Sequence, residues 1–205
     1  MAYIRLPGRF ALDIENPRPE QLPSLSVLVR AIGREHRFSN MADVAWTVLD
    51  HSLHVHRILT DVGATKGARL GGLFHDMAEG PMHDLASPYK RRCPAYKVLE
   101  NRLLDAIYLR FGVCSTGHEG RMVKWADRQA LAIEANYCLG IEERELVDWG
   151  WEADKDSPLD NLPWTDVLRG SAELRALYGW PPYRDTAPAT FLHHAQREGA
   201  VNVNQ

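Results

Sequence analysis

Apolar residues recur along this chain at three- and four-residue steps, and the recurrence predicts helices. From Ala42 the signal is continuous. Val44, Val48, His51, Val55, Ile58 and Val62 fall on one face. Lys66 to Met77 predicts a second helix with Leu70, Leu73, Phe74 and Met77 apolar, and Gly80-Pro81 is the expected break. Pro94 to Phe111 predicts a third, striped by Leu99, Leu103, Ile107 and Phe111. STGHEGR opens a fourth, with Thr116 and Glu119 in capping-box spacing and Val123, Asp127, Ala130, Leu131 and Cys138 on one side. Residues 25–34 predict a short helix and Thr165 to Tyr178 a last one, with a tryptophan- and acid-rich loop before it. No segment alternates convincingly at period two, so the expected class is all-α. The prolines of residues 1–24 suggest an irregular N-terminal arm. Residues 25–180 form the expected single helical domain, and 181–205 a loosely held tail.

Composition narrows the function classes. The chain has 205 residues, is 45% hydrophobic and carries a net charge of −3. That suits one domain with a sizeable core. It lacks the basic footprint of a dedicated nucleic-acid binder. No apolar run approaches the roughly 18 residues of a membrane span, and MAYIRLPGRF has no stretch of signal-peptide length. Cys93, Cys114 and Cys138 fit neither a zinc knuckle nor a disulfide framework. The expectation is a reduced, cytoplasmic protein.

The chemistry concentrates in FHDMAEGPMHD, residues 74–84, and in two other helices. His51 sits among Val48 and Val55, His75-Asp76 ends an apolar helix, and Asp127 lies between Val123 and Leu131. An unpaired carboxylate facing a core is costly. A divalent cation held by imidazoles and carboxylates from separate helices would neutralise it. Glu79, one turn beyond His75-Asp76, can face the same place. PYKRR, with Lys90, Arg91 and Arg92, is the densest basic run. His54, His56, His83 and His118 read as surface residues, and His193-His194 stands outside the pattern.

Four words, WTVLDHSLHV, LFHDMAEG, DLASPYK and KWADRQALAIE, occur in this order. Together they resemble the HD-domain metal-dependent phosphohydrolases, most of all the small bacterial 5′-deoxynucleotidases and phage deoxynucleoside triphosphohydrolases. The resemblance spans Arg37 to Leu139. It implies His51, His75, Asp76 and Asp127 as metal ligands for a transition metal such as Mn²⁺, Co²⁺, Zn²⁺, Fe²⁺ or Ni²⁺, with Asp76 able to bridge a second ion such as Mg²⁺. Glu79 and Asp84 match the catalytic acids, and Lys90 the lysine of the third word. Arg37, Trp46, Lys90 and Arg91 are the expected substrate contacts, with Trp46 or Phe38 stacking on the base. Phe38 stands where some relatives carry tryptophan. The implied activity is hydrolysis of 2′-deoxynucleotides. Three cations in PYKRR favour a triphosphate, dATP among the candidates. A 5′-deoxynucleotidase, a non-catalytic nucleotide sensor and a signalling-nucleotide hydrolase are the alternatives. The resemblance also implies a homo-oligomer.

Overall fold

The computed structural model describes residues 3–6, 10–114, 117–142, 145, 172 and 187–202. The described residues are mostly helical, as the periodicity predicts. The longer helices are α1 (Leu25–Ile32), α2 (Val48–Asp61), α3 (Lys66–Phe74), α6 (Pro94–Phe111), α7 (Gly117–Leu139) and α8 (Ala187–Glu198). Two single turns, α4 (Glu79–Met82) and α5 (Ser87–Lys90), lie between α3 and α6. Thr116, the tryptophan-rich stretch and Thr165 to Tyr178 apart from Ala172 lie outside the described residues.

The helices α2, α3 and α7 pack against one another and form the frame of the molecule. Val55 and Leu59 of α2, Ala68 of α3, and Val123, Ala126 and Ala130 of α7 make one buried cluster. Gly72 lets α3 approach closely: a Cβ there would stand 2.6 Å from Leu59 Cδ1 and 3.2 Å from Val55 Cγ1. A larger cluster joins Leu28 and Ile32 of α1, Leu73 and Phe74 of α3, and Ile107 and Phe111 of α6.

Helix boundaries depart from the apolar pattern where polar groups decide. The helix expected from Ala42 starts at Val48, because Thr47 caps it. Thr47 Oγ1 accepts from the Asp50 amide at 3.2 Å, and Asp50 Oδ2 accepts from the Thr47 amide at 2.9 Å. Before the cap the chain pairs with an earlier segment. The amide of Arg37 donates to Trp46 and that of Val48 to Glu35, both at 2.9 Å. This short ladder brings Arg37 beside the start of α2. At its other end α3 stops at Phe74 rather than Met77. The chain then tightens: amides of Met77 and Glu79 donate to carbonyls three residues back. Gly80-Pro81 is not the break; Pro81 sits in the first turn of α4, where its missing N–H has no helical acceptor to lose.

Both ends are more ordered than expected. Within the arm, Tyr3–Leu6 and Phe10–Asp13 pair as an antiparallel hairpin with Ile4 opposite Leu12. Leu12 is buried and Ala11 exposed, a period-two signal too short to stand out in the sequence. Within the supposed tail, α8 packs on α1, α2 and α3. Phe191 and Ala195 are fully buried, and Phe191 lies 5.7 Å from Phe74, ring centre to ring centre.

Candidate metal centre

Each of the three frame helices carries one part of the site. On α2, His51 is fully buried. His75 and Asp76 follow the end of α3, and Asp127 projects from the middle of α7. Their donor atoms converge. His51 Nε2 lies 3.2 Å from His75 Nε2, 3.1 Å from Asp127 Oδ1 and 3.6 Å from Asp76 Oδ2. His75 Nε2 lies 3.3 Å from Asp76 Oδ2 and 3.7 Å from Asp127 Oδ1. His51, His75 and Asp76 offer ligand atoms that all lie within 4.8 Å of one another.

The donor set fits a divalent cation on two counts. Ligands bound at about 2.0–2.2 Å to one ion stand about 2.8–3.6 Å from each other in tetrahedral or octahedral geometry, close to the separations seen here. Both histidines also turn the correct nitrogen inward, because the other one is engaged. His75 Nδ1 donates to the Gly72 carbonyl at 2.8 Å, and His51 Nδ1 donates to Glu134 with both oxygens at 3.0 Å.

Electrostatics agree with the geometry. Burial works against charge on every member, yet neighbours prevail. His75 and His51 hold the Asp76 and Asp127 carboxyls well below the usual range. Burial likewise opposes the protonated imidazoles. Asp76 and Asp127 nevertheless raise His75, and Glu134 and Asp127 raise His51. The pocket calls for positive charge at the point where the donors meet.

Glu79 is 3% exposed and close enough to this centre to feel Asp76. Its Oε1 accepts from Lys90 Nζ at 2.5 Å, while its Oε2 is buried and accepts no hydrogen bond among the described residues. Burial, then Asp76 and Asp84, push its carboxyl up to about 8 against the pull of Lys90 and Arg37. Asp84 follows a strained residue, His83, with φ of 72°. Glu35 holds this corner, accepting from the Asp84 amide at 2.9 Å and from His83 Nδ1 at 3.0 Å. Burial raises the Asp84 carboxyl too, against Arg37 and Lys90.

The expected substrate contacts divide. Arg37 borders the centre, 3.4 Å from Asp76 Oδ2 and 3.4 Å from Glu134 Oε2. Lys90 also reaches in, bridging Glu79 and Glu100, the latter at 2.7 Å. Arg91 is exposed, as is Arg92. Trp46 does not present a stacking face: it is 1% exposed and packs edge-on against Tyr137 and His54. Phe38 is half-buried with the Arg37 guanidinium over its ring at 5.8 Å.

Some buried polar residues were not expected. Glu134, fully buried, serves His51, His54 and Arg37 together. Its signal was available: seven residues after Asp127 is two helical turns, hence the same face. Glu100 is buried because Lys90 and Lys97 neutralise it. His54 and His56 are buried rather than at the surface, taken up by Glu134 and Glu198. His83 and His118 are exposed. Glu119, assigned to a cap with Thr116, accepts from Thr65 Oγ1 at 2.7 Å.

No protein-family model matches the chain, and a search of curated proteins finds no match either. No helix among the described residues is long and apolar enough to cross a membrane.

Proposed function

We propose that this chain is a metal-dependent phosphohydrolase of the HD-domain type acting on 2′-deoxynucleotides, with a deoxynucleoside triphosphate as substrate and deoxynucleoside plus triphosphate as products. The observation that carries the reading is the convergence of His51, His75, Asp76 and Asp127 beside Glu79, a buried carboxyl whose Oε2 meets no hydrogen-bond partner among the described residues. A metal enzyme needs both halves of that arrangement, whereas a structural ion or a nucleotide sensor needs only the first.

The ligand set His51, His75, Asp76 and Asp127 would hold a divalent transition metal, with identity governed by availability as much as by affinity. Such an ion, when bound, supplies an activated water and polarises a phosphoryl oxygen. The chain's residues supply the rest. Glu79 Oε2, free of hydrogen bonds from described residues, is placed to take or return a proton in the pocket, and a carboxyl near neutrality suits that exchange. Lys90 at Glu79 Oε1 keeps the carboxyl from rotating. Arg37, drawn toward Asp76 and Glu134, presents a fixed guanidinium for a phosphate. Asp84, near enough to feel Arg37, Lys90 and Asp76, would orient a water or a sugar hydroxyl.

One observation favours a second substrate. The triphosphate reading leans on PYKRR, yet within that run Lys90 contacts a site residue while Arg91 and Arg92 are exposed. Two inward cations, Arg37 and Lys90, are adequate for a monophosphate, which makes a 5′-deoxynucleotidase the alternative.

Hydrolysis of a panel of dNTPs, dNMPs and ribonucleotides with added Mn²⁺ or Co²⁺, products resolved by chromatography, tests the proposal. Triphosphate release from a dNTP supports it. Inorganic phosphate from dNMPs alone supports the alternative. No turnover of any nucleotide, with metal bound, would remove both and leave a sensor or a signalling-nucleotide hydrolase.

A further inference from the structure

Glu134 is a carboxylate with no exposure to water, placed two turns along α7 from Asp127. Two imidazoles and an ion-paired guanidinium converge on it. His51 Nδ1 stands 3.0 Å from each of its oxygens, His54 Nδ1 lies 2.8 Å from Oε1, and Arg37 Nε lies 3.4 Å from Oε2. His51 and His54 are three apart on α2, so they share the face that meets α7. A carboxylate is the one side chain that accepts on all its lone pairs at once. Here that capacity is used by two imidazoles, and the Arg37 guanidinium adds an ion pair.

His51 has two ring nitrogens and only one correct orientation. With Nδ1–H committed to Glu134, Nε2 is the nitrogen facing His75 and Asp127. Without that acceptor the ring could flip or exchange tautomers inside the pocket. His54 and Arg37 in turn prevent Glu134 from rotating. Trp46, edge-on to His54, closes the far side.

We infer that Glu134 is a positioning residue: it fixes His51 with Nε2 toward the metal centre, and so sets metal affinity without touching the metal. This rests on the reading of His51 as a ligand. Glutamine at 134 keeps the shape but offers one accepting oxygen to two imidazole donors. A partner of this kind typically contributes 10–100-fold to metal affinity.

The test compares Glu134→Gln with Glu198→Gln. Glu198 is also a buried carboxylate held by a histidine and an arginine, His56 at 3.4 Å and Arg69 at 2.8 Å, but it serves no proposed ligand. Two quantities are read on the full chain. One is Zn²⁺ affinity by competition with a chelating dye. The other is the His51 Nδ1–H resonance in metal-free protein, a downfield signal shielded from solvent exchange while a buried carboxylate accepts it. The expected result is a 10–100-fold loss of Zn²⁺ affinity in Glu134→Gln alone, with the resonance lost or shifted in that variant alone. Wild-type affinity in Glu134→Gln, an equal loss in Glu198→Gln, or an unchanged resonance overturns the inference. If the wild type binds no Zn²⁺, the metal reading fails and the resonance by itself decides the role of Glu134. If Glu134→Gln does not fold, the wild-type resonance decides: a shielded Nδ1–H supports the inference and its absence overturns it.

Discussion

Replacing Glu79 with glutamine should stabilise the protein while removing the proposed hydrolysis. The side chain is 3% exposed, and its carboxyl is pushed from 4.5 up to about 8, first by burial and then by Asp76 and Asp84. The folded state therefore binds this proton more tightly than the unfolded state. Stability from Glu79 is fully present below about 4.5 and is lost as pH rises through about 8. Each pH unit of the window corresponds to about 1.4 kcal/mol, or about 5 kcal/mol across all of it. Lys90 shares the proton balance, and a glutamine amide in place of Oε2 is itself left without an acceptor. About 2 kcal/mol at pH 8 is the fair expectation after both discounts. Glutamine is neutral at every pH, and its Oε1 still accepts from Lys90. For a chain of this length about 1 kcal/mol moves Tm by about 2–4 °C. In calorimetry with a chelator present, Glu79→Gln should melt level with wild type at pH 5 and about 4–8 °C above it at pH 8. Its turnover should fall by about 10²–10⁴-fold. A gap that does not widen with pH would refute the burial argument, and unchanged turnover would remove Glu79 from the chemistry.

Gly72→Ala drives a methyl into Leu59 and Val55, so urea denaturation should show a loss of about 1–3 kcal/mol. An unchanged midpoint would mean that α2 and α3 are not in close contact. Phe191→Ala empties a fully buried site between α8 and Phe74, and should destabilise by about 3–5 kcal/mol in the same assay. A loss below about 1 kcal/mol would return residues 187–198 to the status of a loose tail. Burial, with His194 behind it, lowers His56 to about 4 although Glu198 faces it, and Arg69 adds to the lowering. The stability it contributes is present above about 6.5 and is lost as pH falls toward about 4. That contribution is up to about 3 kcal/mol, and His56→Gln should flatten the acid limb of a Tm–pH curve.

The converging side chains His51, His75, Asp76 and Asp127 were legible because chemistry interrupts periodicity. His51 and Asp127 sit on apolar stripes where a core has no use for them. The acceptors behind these side chains were harder to see. Glu134 looks like an ordinary helical acid until His51 and His54 are known to face it across the α2–α7 contact. His54 and His56 flank the stripe through Val55, and nothing in the sequence marks them as buried. The stripe is wider than a single row once α7 and α8 cover two sides of α2. Helix α8 is hard to see in the sequence because His193 and His194 interrupt a stripe of only three buried apolar residues, Ala187, Phe191 and Ala195. Trp46 was expected to stack on a base because it precedes the ligand helix. The Arg37–Trp46 ladder turns it inward instead.

Co²⁺ titration of the wild type and Asp127→Ala, followed by visible absorption with circular dichroism as the check on folding, bears most directly on the metal centre. One saturating equivalent in the wild type, lost in a folded Asp127→Ala, is the outcome expected from the convergence of His51, His75, Asp76 and Asp127. No saturable binding in the wild type, or undiminished binding in Asp127→Ala, would contradict it.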